Sequence, residues 1–499
     1  MNGTQIMIRL SPIYLALLLA HTTQAADLLD IYQAAEQEDQ QYASAKAAYR
    51  AGIEKLPQAR AALKPQINLT APLTANYVNN HLADVSAHYM SVGYSLQLTQ
   101  PLYRLQNNIL IDQATIQLTQ FEAQLNQSQQ DLMLRTAQAY FDVLLAEDNV
   151  AVSRNQKIAI SEQLAQAKRN FEVGTSTITD THEAQARFDL ATAREIADQS
   201  DLDVKRRALE ILIGKPMENL APLRDKLNLP PPQPNDMAQW VEVAQKQNLQ
   251  VVVFKAAEDI AEQEIRRNKA AFTPTVDLVA SYGDSATSTK KPGFGQEVSS
   301  GAVGVQINIP IWEGGLRNSR VREAVANRER ARFDTENVRR QVAQSARQSY
   351  LGVTSGIAQV KALEQALVST TSQLESTKLG QEVGVRTGVD VLNAQQQLYS
   401  ARRDLYAARY NTLLNQLKLK SASGILAKND LAEVNSALRK AGEPSANTIA
   451  SPKQPDAKAL PGKPDALKPA ENPTLKAPAP AKVKPKPRKR APKRPGAAQ

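Results

Sequence analysis

The amino-acid sequence runs through nearly the same pattern twice, about 210 residues apart, and this duplication limits the architecture more than any single motif. Pro65 in ARAALKPQINLT and Pro101 in LQLTQPLY have counterparts at Pro274 in AAFTPTVDLV and Pro310 in INIPIW, each 209 residues further on. FEVGTSTITDTHEAQ matches QEVGVRTGVDVLNAQ, which sets Gly174 opposite Gly384, Asp180 opposite Asp390 and Gln185 opposite Gln395, all 210 residues apart. ILIG, ending at Gly214, faces SASG, ending at Gly424. A period this long is not a solenoid of short units. It predicts two copies of one large supersecondary element, at 26–214 and 237–424, each reading helix, β-hairpin, long helix, helix. Segments 215–236 and 425–440 fit neither copy and are expected to wrap the waist as a linker and an equatorial segment.

After each proline-marked junction the residues alternate. Ile67, Leu69, Ala71, Leu73, Ala75 and Tyr77 form one row against Gln66, Asn68, Thr70, Pro72, Thr74 and Asn76. Met90, Val92, Tyr94, Leu96 and Leu98 do the same, and the second copy repeats the pattern at Val276, Leu278, Ala280 and Tyr282 and at Val303, Val305, Ile307 and Ile309. Val279 alone interrupts the polar row there. Each run approaches the length of about 10 residues that a tilted transmembrane strand needs, with a polar face suited to a watery lumen. Alternation alone also describes a soluble sheet with one wet face. Two hairpins give four strands and hence two open edges, and unpaired backbone groups in hydrocarbon cost several kcal/mol each. Closure therefore demands several copies: a C3 trimer supplies twelve strands and a C2 dimer eight. Spacing does not choose between them.

Between 106 and 173 lies a proline-free, Ala- and Gln-rich stretch with apolar spacing such as Ile111, Ala114, Leu118, Phe121 and Leu125. As one helix it would be roughly 100 Å long. The flanking helices, over 28–64 and 179–213, together match its length. The second copy gives 316–383 against 237–272 and 389–423. Each copy thus predicts one long helix coiled antiparallel with two short ones stacked end to end. Small residues at the seam, as in Leu398, Ala401, Leu405 and Ala408, favour close, curved walls. A barrel continuous with such helices is a duct.

The N-terminus has Arg9, an apolar run from 13 to 20 and a small, polar segment, which reads as a secretory signal over 1–25. No later stretch approaches the length of about 18 apolar residues that a spanning helix needs. The chain has no cysteine, hence no disulfide framework and no lipid-anchoring thiol. Its formal charge of +10 would point to nucleic acid, but residues 441–499 hold 13 Lys plus Arg against 4 Asp plus Glu, so nearly all the excess lies there. The same segment carries 13 of the 27 prolines and reads as a disordered, solvated basic tail, the alternative being electrostatic contact with anionic surfaces such as cell-wall polymer or lipid headgroups. No nucleic-acid partner is expected. The histidines are His21, His81, His88 and His182; His81 and His88 share a hairpin loop without the cysteine or carboxylate set a metal site wants. No phosphate-binding glycine loop or nucleophile elbow occurs.

The sequence resembles the TolC family of outer-membrane channel-tunnel proteins, the exit ducts of multidrug efflux pumps and type I secretion systems. The resemblance is carried by IPIWEGG (309–315), VGVRTGVDVLNAQQQLYSARRDLYAARYNTLLNQLKLKSASG (383–424) and the first-copy tip FEVGTSTITD, and it extends from Ala26 to about Lys440. It implies a mainly helical homotrimer in the outer membrane. There a 12-stranded β-barrel, four strands per chain, continues into a long antiparallel α-helical coiled-coil tunnel in the periplasm. It also implies a periplasmic adaptor (membrane fusion) protein and an inner-membrane transporter of RND, ABC or MFS type as partners, contact with outer-membrane lipid, and no enzymatic chemistry or cofactor. The rival reading is a periplasmic coiled-coil adaptor or scaffold without a membrane barrel; adaptors lack paired lipid-facing hairpins.

The resemblance also assigns the working ends. Val173, Gly174 and Thr175 and their counterparts Val383, Gly384 and Val385 are interhelical turns, where glycine permits the left-handed backbone of a tight helix-to-helix turn. By resemblance these tips face the adaptor. Asp180 and Asp390 lie where outgoing helices begin; Asp180 with Glu183 fits a capping box, which predicts a simple N-cap there. By resemblance Asp390 belongs to an acidic entrance ring, and Arg386 is the arginine that ties the entrance shut through Thr179 and Asp180. The chain departs from the best-known pattern at Asn393, where a second acidic ring is replaced, and at Gln381, where an aromatic gate partner is. A less acidic and more weakly latched entrance is the expectation. Asp277 and Gln306 are expected to face the lumen.

Overall fold

The helices break where polar caps and one proline dictate. The computed structural model describes residues 25–80, 85–217, 219–225, 227–288 and 297–439. The expected signal segment up to residue 24, His81 and the basic tail lie outside these described residues. Where the sequence predicts one helix over 28–64, there are three: α1 (Leu28–Glu38), α2 (Gln40–Ile53) and α3 (Lys55–Ala61). Asp39 ends the first by capping the second, its Oδ1 accepting from the Tyr42 amide at 2.6 Å while Arg135 grips both carboxylate oxygens. Pro57 lacks the N–H that would continue the earlier helix, so α3 begins two residues before it. The segment over 237–272 likewise divides into α6 (Met237–Gln247) and α7 (Leu249–Ala270). Asn248 caps α7 by accepting from the Gln250 amide at 2.9 Å and donates to Ala422 O at 2.8 Å.

The long helices match their expected extents closely. α4 covers Leu105–Glu172 (68 residues) and α8 covers Leu316–Glu382 (67 residues). Each is about 100 Å long. α4 packs along α5 (Ile178–Ile213) over one part, along α1, α2, α3 and α7 over the rest, and against α9 (Gly388–Ala422); α8 packs along α9, α6 and α7. No described helix is long and apolar enough to cross a membrane.

One antiparallel sheet holds all the predicted strands: β1 (Gln66–Thr70), β2 (Leu73–Asn80), β3 (Val85–Tyr103), β4 (Thr275–Thr287) and β5 (Glu297–Asn308). β1 and β2 are the single first strand of the alternation, divided at Pro72, which cannot donate to the ladder. Both pair with β3, which pairs with β4, which pairs with β5. The register is the informative part. Ile67 faces Leu98, Leu69 faces Leu96 and Leu73 faces Val92; Leu98 faces Ala280 and Leu96 faces Tyr282; Leu278 faces Val305 and Ala280 faces Val303. Since a one-residue slip would send half of these to the other side, the register collects the apolar row of every strand on one face. Nothing among the described residues covers that face: Leu69 is 69% exposed and Val303 78% exposed. The outer edges of β1, β2 and β5 pair with no other described strand.

Asp277, expected in the lumen, is buried instead. Arg104, at the end of β3 just past an irregularity between Pro101 and Tyr103, donates from Nε to its Oδ1 at 2.8 Å and from Nη2 to its Oδ2 at 2.6 Å. A bidentate arginine neutralises the carboxylate at the junction of sheet and helix.

The largest core lies where α1, α4, α5 and α9 meet the segments around 220 and 430. It includes Leu28, Ile31, Tyr32, Leu132, Phe141, Leu209, Leu417 and Leu431. Short ladder contacts fasten the connecting segments: Ala26 bridges Leu220, Leu223 bridges Leu438, and the Tyr140 hydroxyl donates to Ala221 O at 2.7 Å. α10 (Lys428–Asn435) closes this layer, held by Lys420 between Asp430 and Glu433.

At its border Tyr410 of α9 donates to Asp148 Oδ2 of α4 at 2.6 Å. Burial raises the Asp148 carboxyl to about 6; the Tyr410 hydrogen bond and the charges of Arg409 and Arg439 oppose the rise, and Glu147 adds to it. Because the folded value lies above the ordinary one, the group's favourable contribution is complete below about 3.8 and is lost as pH rises through about 6. Asp148→Asn keeps an acceptor for Tyr410 and removes the charge. It should raise stability at pH 7–8 by about 1–2 kcal/mol, the side chain being only half-buried by area. The gain should vanish by pH 4 in thermal unfolding across a pH series. A gain independent of pH would contradict the assignment.

Candidate functional site

Far from the sheet, the helix pairs α4/α5 and α8/α9 each turn back through a nearly identical loop. At the end of α4 the Gly174 amide donates to Phe171 O at 3.0 Å and the Thr175 amide to Asn170 O at 2.8 Å, with Gly174 at φ +77°. At the end of α8 the Gly384 amide donates to Gln381 O at 3.1 Å and the Val385 amide to Gly380 O at 2.9 Å, with Gly384 at φ +80°. Both are left-handed C-caps that satisfy the last helical carbonyls. A Cβ added at either glycine would meet no atom within 4 Å, so backbone conformation and not crowding selects the residue. Val173, Val383 and Val385 stand exposed beside them, an unusual place for valine.

The capping residues differ from expectation by one turn. Thr177, not Asp180, is the N-cap of α5, and Asp180 is its third residue. Asp180 Oδ2 accepts from the Thr177 amide at 3.1 Å while Thr177 Oγ1 accepts from the Asp180 amide at 3.3 Å. Thr387 and Asp390 repeat the arrangement at α9, at 2.9 and 3.2 Å. The boxes are thus Thr-x-x-Asp in both pairs. Glu183 instead lies 3.4 Å from Arg187, one turn further along. The two aspartates are held below the usual carboxylate range: Asp180 by the Thr177 amide and then the Ser176 hydroxyl, Asp390 by the Thr387 amide and hydroxyl with a smaller effect of the Arg386 charge.

Thr179 is the exposed second residue of α5. No hydrogen bond or ion pair joins Arg386 to Thr179 or Asp180 within the protomer. Asp180 Oδ2 already accepts from the Thr177 amide and the Ser176 hydroxyl, and the Arg386 side chain lies back over Gly380, where an added Cβ would come within 2.7 Å of its Cγ. A cross-link between the two helix pairs comes from a residue the sequence did not single out. Arg187 of α5 donates from Nη1 to Gln396 Oε1 at 2.5 Å and from Nη2 to Asn393 Oδ1 at 3.2 Å, both on α9. The signal available in the sequence is faint: the position matching Arg187 in the second copy is Gln397, so the duplicated pattern differs there in charge. Beside the cross-link, Leu392 of α9 packs among Ile160, Leu164, Ala184 and Ala191 of α4 and α5. Further from the tip, Tyr399 donates to Asn155 O at 3.2 Å and Arg403 to Gln156 Oε1 at 3.1 Å. Then comes the Tyr410–Asp148 bond.

Among the described residues no group of three or more His, Asp or Glu side chains is placed to hold a metal ion, and His88 stacks on Tyr77 with ring centroids 4.6 Å apart. The structure gathers at this end two aspartates held below the usual carboxylate range, arginines beside them, and hairpins joined by side chains.

The family model described as "Outer membrane efflux protein" matches residues 31–215 and 240–425. The chain is 34% identical to outer membrane protein TolC of Vibrio cholerae over 423 residues, which is 84% of this chain and 96% of that one. It is 31% identical to the alkaline protease secretion protein AprF of Pseudomonas aeruginosa, covering 83% of this chain and 88% of that one. The fold is shared with the CmeC outer membrane channel of Campylobacter jejuni at TM-score 0.69 and 14% identity, over 88% of this chain and 98% of that one.

Proposed function

This chain belongs to the outer membrane efflux protein family, and from that membership we propose that it is the outer-membrane exit duct of a tripartite efflux pump, a type I secretion system or both. The observation that carries the reading is the sheet register, which gathers the apolar rows of the strands on one face and leaves both that face and two edges without a partner among the described residues. Such a sheet is stable in hydrocarbon only as an arc of a closed cylinder. Three copies give a 12-stranded barrel, and the two halves of the chain act as pseudo-equivalent walls of the tunnel below it. Exposed apolar residues on the helices, such as Leu190, Val204 and Ile211 on α5 and Phe333, Leu351 and Val368 on α8, supply the surfaces through which copies pack. A periplasmic adaptor of coiled-coil type has no use for an uncovered apolar sheet face, so that alternative is not favoured.

In this assembly the tips at Val173, Gly174 and Thr175 and at Val383, Gly384 and Val385 meet the periplasmic adaptor. Thr179, Asp180, Arg386, Asp390 and Asn393 line or secure the entrance, and an inner-membrane transporter supplies the cargo. The chain conducts and does no chemistry. The test is outer-membrane fractionation, a heat-dissociable trimer on gels, and ion conductance of the purified full chain in planar bilayers. A monomer in detergent that passes no current would overturn the reading. Since Arg386 bonds to neither Thr179 nor Asp180 of its own protomer, a tie to either of them runs to a neighbouring copy. Arg386→Ser should then raise single-channel conductance about two- to fivefold, each charge-assisted bond lost favouring the open form. Unchanged conductance would remove Arg386 from the gate.

A further inference from the structure

The Arg187 cross-link is the side-chain bond between the two helix pairs nearest the tips among the described residues; the next ones, from Tyr399 and Arg403, lie about one and two turns beyond Gln396 along α9. We propose that Arg187 is the latch of each protomer, tying α5 to α9 across the hairpins at Asn393 and Gln396, and that its charge also sets the ion preference of the entrance. The inference rests on the duct reading above.

Three observations support it. The first is placement. Widening the tip requires the α4/α5 and α8/α9 hairpins to separate there; α4 runs along α9 as well, while α5 meets α9 in a narrow contact around Leu392 and this guanidinium, the side-chain bond that spans the hairpins nearest their ends. A side chain joining two elements that must part is a stronger restraint than one lying along its own helix. The second is geometry. Asn393 and Gln396 are three residues apart on α9, so both side-chain oxygens lie on one face and are reached by the two terminal nitrogens of a single planar group. The same guanidinium is steadied on its own helix by Glu183 at 3.4 Å. A lysine in its place presents one nitrogen on a flexible stem and lacks the fixed two-pronged fork that meets both acceptors here.

The third is charge. Both acceptors on α9 are neutral, so Arg187 leaves a positive charge one turn from Asp390. The charged groups closest to the tips on the outgoing helices are then Asp180, Glu183 and Asp390 against Arg187 and Arg386. Removing Arg187 doubles the net negative charge of this set in every protomer, and symmetry multiplies the change around the axis. Asn393, which weakens the acidic ring, and Arg187, which bonds to it, are therefore one device: the chain exchanges a second carboxylate for a neutral acceptor that keeps the hairpins together.

The test uses the full chain in planar bilayers, with the heat-dissociable assembly on gels as the folding control and wild-type current as the control on the duct reading. Arg187→Gln should raise the open fraction about tenfold, the usual effect of losing one charge-assisted hydrogen bond, and shift the reversal potential toward stronger cation preference. Arg187→Lys should fall between the two. The double substitution Asn393→Leu with Gln396→Leu removes the acceptors and keeps the guanidinium, so it should raise the open fraction without the gain in cation preference. That split separates a latch from a general loss of structure. It also serves if Arg187→Gln does not assemble. Conductance unchanged in both variants, with wild type conducting, overturns the latch and leaves the duct standing. Unchanged ion preference in Arg187→Gln overturns its role in selectivity. A silent wild type sinks the duct reading itself.

Discussion

Replacing Gly424 with alanine is expected to deplete the assembled protein from the outer membrane, the largest loss of stability predicted for a single methyl group in this chain. Gly424 follows α9 at φ +75°, its amide donating to Ser421 O at 2.8 Å and the Ile425 amide to Lys420 O at 3.0 Å. An alanine there adopts a left-handed backbone at a cost of about 1–2 kcal/mol. Space adds more: an ideal Cβ would sit 2.3 Å from Gln247 O and 2.7 Å from Asn248 Cα, both backbone atoms that no rotamer change can move aside. The clash falls where the break between α6 and α7 is capped by Asn248, which donates to Ala422 O, and where Gln130 of α4 donates to Gly424 O and Leu426 O. Four segments shift together, and the total should reach about 3 kcal/mol or more. Gly214, at the matching position, is the control. Its nearest neighbour is the flexible Glu38 side chain at 3.2 Å, so Gly214→Ala should be milder. Trimer yield on unheated gels and thermal unfolding read both variants; equal effects would contradict the argument.

Asp390→Ala should weaken block of the current by trivalent cations by about two orders of magnitude, as the carboxylates that the proposed three-copy assembly brings around one axis are lost together. The wild-type block should be weaker than two acidic rings would give, since Asn393 is neutral and bonded to Arg187. Its pH dependence follows from the local bonds. The Thr387 amide and hydroxyl hold Asp390 below the ordinary carboxylate value, so the charge and the stabilisation that accompanies it persist above that value and are lost only as pH falls through the lowered one. Block should therefore hold steady from pH 7 to pH 5. A block that survives Asp390→Ala undiminished would remove this residue from the ring.

Much of the fold was legible because its signals are local and periodic. The strand alternation needs no partner to be seen, and the observed register joins the same apolar rows. The glycines at 174 and 384 mark turns because a left-handed residue is rare in any other type. What escaped the sequence depends on contacts between distant segments. Asp39 and Asn248 sit within otherwise helical periods, and they break them because Arg135 and Ala422 O are there to complete the caps. Thr177-x-x-Asp180 and Asp180-x-x-Glu183 are overlapping capping patterns, and choosing between them requires knowing where the chain leaves the turn. Asp277 belongs to the polar row by alternation, but Arg104 reaches it from across the sheet. Arg187 resembles any helical arginine with a glutamate four residues before it until α9 is laid beside α5.

The unpaired edges of the sheet have a genetic consequence. A protomer whose edge strand is damaged but whose helices still associate would enter mixed assemblies and leave a gap that its intact companions cannot fill. With damaged and intact copies made in equal amounts and mixing at random, roughly one three-chain cylinder in eight would be free of the lesion. Edge-strand mutations are thus expected to act as dominant poisons when co-expressed with wild type, whereas mutations that stop the helices from associating should be recessive.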